Sequence, residues 1–177
     1  MTNSDRDFLL KSLEDGRDAF LRAVAGLSEA QLHFHTQPDR WSIADCIAHI
    51  AIAEERMFAA AKQGTPNPNG VSLPPEKDAR VVAAVVSRER KVTAPDGLDP
   101  HTRFASVTEA RRHFLNVREG AIRYARECSD DLRHLFAQHP LLGEMDCHRY
   151  LLVLAAHPAR HAAQIEEIKS DPAFPKA

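Results

Sequence analysis

Near its end the sequence carries an apolar stripe with helical spacing, and this stripe limits the chain to folds that bury a long helix against other helices. Its members recur every three or four residues: Tyr150, Val153, Leu154, His157, His161, Ile165 and Ile168. Residues with this spacing share one face of an α-helix, and a largely apolar face is stable only when another element covers it. We therefore predict a core helix over about residues 146–170, with two histidines on its buried face.

Three earlier segments repeat this pattern, which predicts a bundle of helices. The expected long helices cover about residues 4–26, 43–63 and 106–128, and a shorter helical segment covers about 76–91. Ser28 with Gln31, and Ser106 with Glu109, have the spacing of capping boxes, which begin helices. No segment shows the alternation of a strand, and 7 glycines allow few tight turns. The predicted fold is all-α: an antiparallel four-helix bundle with an extra short helical segment, in a single domain over residues 1–177.

Composition argues against several classes of partner. With 23 basic and 25 acidic side chains the net charge is -2, so no strong positive field attracts the phosphates of nucleic acid. No stretch approaches the roughly 18 apolar residues of a membrane-spanning helix. The cysteines, Cys46, Cys128 and Cys147, are odd in number and widely spaced, which is typical of a reducing compartment. We therefore expect a cytoplasmic protein that binds neither nucleic acid nor membrane.

The histidine pair on the predicted last helix is a candidate metal site. Residues at positions i and i+4 are one turn apart on the same face, so His157 and His161 can bind one cation together. Two ligands make a weak site, and His49 on the predicted second helix is the best candidate for a third. In an antiparallel bundle, one end of that helix can meet the middle of the last helix. Three imidazoles leave positions open on a divalent ion, as in a catalytic rather than a structural site.

Several neighbouring residues can be interpreted either as structural or as functional. Trp41 can line a pocket, but we interpret it as an apolar anchor packed over the start of the second helix. His33 and His35 follow each other closely in an expected loop, where a histidine pair is usually solvated. Gln164 lies one turn after His161 and can orient a water at the ion, although a solvated or interhelical role is the simpler interpretation.

The remaining features near the pair concern reactivity and helix geometry. Cys46 and Cys147 are expected to be buried, inert thiols rather than nucleophiles. Pro158 removes a backbone donor directly after His157, which predicts a bend or a loosened turn there. A ferritin-like di-iron site is excluded because no glutamate has a histidine three residues later. The protease, esterase and nucleotide-hydrolase motifs are absent from the sequence as well.

Three segments resemble the DinB-like, or DinB/YfiT-like, four-helix-bundle proteins. They are Arg-Trp-Ser-Ile-Ala-Asp-Cys-Ile-Ala-His at 40–49, Phe-Ala-Ser-Val-Thr-Glu-Ala at 104–110 and His-Pro-Ala-Arg-His-Ala-Ala-Gln-Ile at 157–165. The resemblance covers nearly the whole chain. It implies a divalent metal ion, most often zinc or nickel, held by His49, His157 and His161, and often a homodimer. Family members characterised as enzymes join low-molecular-weight thiols such as bacillithiol or mycothiol to substrates, or use such a thiol as cofactor.

Two hypotheses about function follow. The first is a metal-dependent enzyme acting on a small molecule, most simply a thiol-dependent S-transferase or a related transferase or hydrolase. The sequence assigns it no catalytic side chain, because the ion itself would activate a water or a thiol. The second is a non-catalytic dimeric bundle that binds a metal or small ligand in a stress response. A third interpretation, in which the histidines only fill the core and bind no metal, stays open at this point.

Overall fold

Long helices dominate the computed structural model, which describes residues 1–89, 98, 100 and 103–176. In this part of the chain the α-helices are α1 (Asn3–Ala23), α2 (Glu29–Leu32), α3 (Ile43–Lys62), α4 (Asp78–Val86), α5 (Val107–Glu127) and α6 (Cys147–Lys169). The four long ones, α1, α3, α5 and α6, pack together, and α6 contacts α1, α3 and α4. The expected all-α four-helix bundle is therefore confirmed, with α6 covered on several sides. Within the described residues, every helix is too short or too polar to cross a membrane.

The capping residues explain where most helices begin. Ser42 and Asp45 form a complete capping box at α3, and Ser28 with Gln31 forms the expected one at α2. The first helix begins at Asn3 and is capped by Thr2, which forms a box with Asp5. It ends earlier than expected, at Ala23.

The expected capping box at α5 is only half formed. Ser106 accepts a hydrogen bond from the Glu109 amide at 3.1 Å, as predicted. The Glu109 carboxylate, however, accepts from the amide of Ala105 at 2.9 Å and not from that of Ser106. The helix still begins directly after Ser106, because one satisfied amide and an acidic residue in the first turn both favour its N-terminus.

A small antiparallel sheet was missed by the sequence interpretation, which found the alternation of a strand in no segment. The strands are β1 (Thr65–Pro66), β2 (Leu135–His139) and β3 (Gly143–Asp146), in the order β1-β2-β3. Gly143 has a φ of 79°, a conformation that glycine adopts without strain, and it begins the returning strand of the β2–β3 hairpin. These strands are too short for alternation to be recognised in the sequence, and their pairing depends on contacts with α6.

The short helical segment between the second and fourth predicted helices is present but shorter than expected. A 3-10 turn at Pro75–Lys77 leads into α4, which ends at Val86, whereas the sequence suggested about 76–91. Residues 90 and 91 of that prediction lie outside the described residues. The helix packs against α6, close to the turn that carries the histidine pair.

The backbones of α1 and α6 come close together at Gly16. A Cβ atom at this position would lie 2.0 Å from the carbonyl oxygen of Ala155, a backbone atom of α6 that cannot turn away. Gly16→Ala is therefore expected to separate the two helices and to lower the free energy of unfolding by about 3 kcal/mol, the upper range for overpacking. Urea unfolding of the metal-free protein measures this change.

A second helical glycine provides the matched control. A Cβ atom at Gly120 in α5 would meet only a ring carbon of Phe58, at 3.6 Å. Gly120→Ala should therefore raise the free energy of unfolding by about 0.5–1 kcal/mol, because alanine loses less backbone entropy than glycine in a helix. Equal effects of the two substitutions would show that the α1–α6 approach is not tight.

Candidate metal centre

Three histidine rings from two helices converge inside the bundle. His49 lies on α3, and His157 and His161 lie one turn apart on α6. One ring nitrogen from each comes within 4.8 Å of the other two. The ring centroids of His49 lie 5.4 Å from His157 and 4.9 Å from His161. The structure therefore brings together all three residues that the sequence indicated as metal ligands.

A backbone carbonyl fixes which nitrogen of His49 faces the other two rings. Its Nδ1 lies 3.3 Å from the carbonyl oxygen of Leu98. A carbonyl can only accept, so Nδ1 carries the proton and donates, which leaves the lone pair on Nε2. Metal-binding histidines commonly use such a carbonyl to set the tautomer and the ring orientation.

The histidine pair of α6 has the separation that one ion requires. The Nε2 atoms of His157 and His161 are 3.2 Å apart. Two nitrogens bound to one ion at about 2.1 Å lie about 3.0–3.4 Å apart, depending on whether the ion is octahedral or tetrahedral. The residues present therefore fit a single divalent ion without a change of side-chain position along α6.

Burial keeps these imidazoles neutral, the form that binds metals. Burial lowers the pKa of His157 and of His161 well below the usual 6.5, and the neighbouring histidines lower it further. Burial also lowers the pKa of His49, although the hydrogen bond to the Leu98 carbonyl opposes that shift. Near neutral pH all three rings therefore present nitrogen lone pairs rather than positive charges.

Two buried nitrogens on the outer side of the pair need an explanation. The Nδ1 atoms of His157 and His161 are buried and have no hydrogen-bond partner among the described residues. A buried imidazole with an unmet polar atom costs free energy, so such groups usually mark a ligand or a functional role. Coordination of an ion by the convergent nitrogens would offset this cost, since one ion contacts all three rings.

Trp41 borders the centre, which the sequence interpretation did not expect. Its ring lies 4.7 Å from that of His49 and is stacked at 6.2 Å on that of His161. The side chain is half-buried, so it forms part of the wall beside the histidines rather than only an anchor in the core. The available signal was its position immediately before Ser42, the N-cap of the helix that carries His49.

The other candidates lie outside the centre. His35 is exposed in a loop, and its Nδ1 lies 2.7 Å from the Arg40 carbonyl oxygen. His33 pairs with Glu29, and neither residue belongs to the histidine cluster. Gln164 contacts the segment that follows α4, because its side-chain oxygen accepts from Arg88 at 3.2 Å.

The two cysteines near the ligands in sequence are unsuited to nucleophilic attack. Cys46 and Cys147 are both buried. Burial raises the pKa of the Cys46 thiol to about 12 and that of the Cys147 thiol to about 11, with nearby acidic groups adding to the shift. Both thiols are therefore protonated near neutral pH, in agreement with the interpretation of these residues as inert.

A second buried cluster of possible ligands already contains a cation. Asp5, Asp78 and His148 lie close together, but the guanidinium of Arg133 donates to Asp5 at 2.6 Å and to Asp78 at 2.5 Å. This ion pairing lowers the pKa of Asp5 far below its ordinary value, with Arg133 as the main cause. The cluster therefore ties α1, α4 and α6 together as a salt-bridge network, and the histidines remain the candidate metal centre.

Comparison with known proteins agrees with this architecture. A family model described as the DinB superfamily matches residues 12–165. The uncharacterized protein YuaE of Bacillus subtilis (strain 168) is 23% identical over 149 residues, which cover 82% of this chain and 88% of that protein. A solved structure, YfiT from Bacillus subtilis, is described as a probable metal-dependent hydrolase with an unusual four-helix bundle topology. It aligns with a TM-score of 0.65 and 15% identity, over 96% of this chain and 88% of that one.

Proposed function

Because this chain belongs to the DinB superfamily, we propose that it is a divalent-metal-dependent enzyme acting on a small molecule, with His49, His157 and His161 as the metal ligands. The observation that carries the proposal is the convergence of three neutral imidazoles between α3 and α6, with His49 and His161 buried and His157 half-buried. The description of the structurally similar YfiT as a probable metal-dependent hydrolase supports the same chemistry.

Three protein ligands suit a catalytic rather than a structural ion. Structural sites usually have four protein ligands, whereas catalytic sites keep a position for a water or a substrate. The neutral imidazoles would leave the charge of the ion uncompensated, so that charge would act on a bound water or substrate. The half-buried Trp41 lies against two of the ligands and forms an apolar wall for a substrate.

The nucleophile in this proposal comes from solution. The nearby cysteines are buried and protonated, so the chain does not supply a thiolate there. A bound divalent ion lowers the pKa of a water or a thiol and polarises a substrate carbonyl. With water the reaction is a hydrolysis, and with a low-molecular-weight thiol it is an S-transfer. Imidazole ligands suit zinc and nickel, which are the ions we propose.

Activity should depend on the metal and on an external nucleophile. Zinc-loaded and nickel-loaded protein is assayed with chromogenic esters for hydrolysis, and with 1-chloro-2,4-dinitrobenzene in the presence and absence of a small thiol for S-transfer. We expect turnover only in the loaded protein, and its loss in His157→Ala. Cys46→Ala should retain the activity because that thiol is not the nucleophile.

The same assays separate the enzyme from a binding protein. Stoichiometric metal without turnover in either assay would contradict catalysis on these substrate classes and would favour a bundle that binds metal or a small ligand. Equal turnover in apo and loaded protein would contradict the metal dependence itself.

A further inference from the structure

The turn of α6 that carries His157 has a backbone carbonyl without its helical donor. Pro158 lies inside α6, and proline has no amide hydrogen to donate to the carbonyl of the residue four positions earlier, Leu154. The helix nevertheless continues from Cys147 to Lys169. Another group must therefore satisfy the Leu154 oxygen, since a buried carbonyl without a donor costs free energy.

That donor is the buried guanidinium of Arg118, on α5. Its Nη2 lies 3.0 Å from the Leu154 oxygen, and its Nη1 lies 3.5 Å from that of Ala155. Nη1 also donates to the Leu13 carbonyl of α1 at 2.9 Å. Arg118 is fully buried, so these bonds are made without competition from water.

The remaining hydrogens of Arg118 point to a carboxylate on the helix of the third ligand. Nε lies 2.5 Å from Oε1 of Glu54, and Nη2 lies 2.9 Å from Oε2. Glu54 is fully buried and lies on α3, five residues after His49. All five guanidinium hydrogens are thus used, and one side chain joins α1, α3, α5 and α6.

We propose that Glu54 and Arg118 are positioning residues of the metal centre, which fix the turn bearing His157 against the helix bearing His49. This inference rests on the proposed three-histidine metal site. Leu154 lies three residues before His157, so the chain of bonds from Glu54 through Arg118 to the Leu154 oxygen links the same two helices as the ion would. Groups that orient metal ligands in this way typically change metal affinity 10- to 100-fold when removed.

Stability alone is a poor explanation for this pair. Replacing a buried ion pair by apolar residues of similar volume is often neutral or stabilising, so charge at the centre of a bundle needs another reason. The planar guanidinium offers one, because it can meet a carboxylate and a carbonyl at fixed angles at the same time.

The test removes the pair as a unit and then restores the missing bond from the backbone. The variant Glu54→Leu/Arg118→Met leaves neither charge unpaired but deprives the Leu154 oxygen of its donor. Adding Pro158→Ala supplies a backbone amide that can donate to that oxygen. Cobalt(II) affinity is measured by chelator competition and the coordination by visible absorption. Leu132→Ala, a buried residue outside the four-helix network, is the control for general destabilisation.

We expect cobalt(II) to bind about 10- to 100-fold more weakly to the double variant, with an altered spectrum, and Pro158→Ala to recover much of the affinity. The control should bind as the parent does. Parent-like affinity and spectrum in the double variant, or no recovery with Pro158→Ala, would overturn the positioning role while leaving the metal site intact. A parent protein that binds no cobalt would instead refute the proposed function.

If the double variant does not fold, Arg118→Lys decides the question. Lysine keeps a positive charge beside Glu54 but lacks the fork that reaches both Glu54 and the Leu154 oxygen. Weaker cobalt binding with a changed spectrum in Arg118→Lys would support the proposal, and unchanged binding would overturn it.

Discussion

Replacing His157 with alanine is expected to abolish stoichiometric metal binding, and His49→Ala and His161→Ala should have the same effect. The three ring nitrogens lie within 4.8 Å of one another, so each ring supplies one of the three protein ligands. Loss of one imidazole leaves two, and two histidines alone form a weak site. Elemental analysis of protein purified without a metal-binding tag measures the result directly.

A thermal-unfolding experiment gives an independent measure of the same site. An ion that binds only the folded protein stabilises it by about 2.7 kcal/mol when its free concentration is 100 times Kd. A chelator should therefore lower the Tm of the parent but leave the Tm of His157→Ala unchanged. The difference arises because the variant has no bound ion to lose.

His35→Ala provides the matched histidine control. His35 lies in a loop outside the cluster and should not alter metal content. Metal retained in full by all three ligand variants would exclude the histidine centre. An unchanged parent Tm after chelation, together with no metal after reloading, would favour the interpretation of the histidines as core residues that bind no metal.

Arg118→Met alone is expected to cost about 3–5 kcal/mol of folding free energy, because it leaves the Glu54 carboxylate buried without a partner. Total stabilities are about 5–15 kcal/mol, so this change alone can unfold much of the protein. It also leaves the oxygens of Leu13 and Leu154 without the donor that Arg118 provides. Urea unfolding of the metal-free protein checks the value without any contribution from metal binding.

The double variant Glu54→Leu/Arg118→Met is the control for this cost. With the carboxylate removed as well, no uncompensated charge remains, so the double variant should be clearly more stable than Arg118→Met. Equal stability of the single and the double variant would show that the buried Glu54 carboxylate does not need Arg118 as its partner.

The resemblance noted from three short segments is confirmed by the match of the DinB superfamily over residues 12–165. That match does not test the finer expectations drawn from the resemblance. The homodimer, the cytoplasmic location, the preference for zinc or nickel and the use of a thiol stay predictions. Metal-dependent chemistry is the proposal that the histidine geometry and the described relative support together.

The sequence by itself determined the helices and the placement of two of the three candidate ligands on one helix face. Helical periodicity and capping residues depend on neighbours within one or two turns, so α3 and α6 were predicted with nearly correct limits. The same short range placed His157 and His161 on one buried face. The small sheet escaped prediction because its strands are short and because β1 pairs with a strand about 70 residues later in the chain.

Only the tertiary structure decided what surrounds His157 and His161. The distance of His49 from α6, the position of Trp41 against the ligands and the contact of Arg118 with Leu154 all depend on how the helices rotate and slide against each other. Those parameters are set by the packing of many side chains at once and leave no signal at fixed spacing along the chain. Local periodicity therefore specified which faces are buried, whereas packing specified which residues meet there.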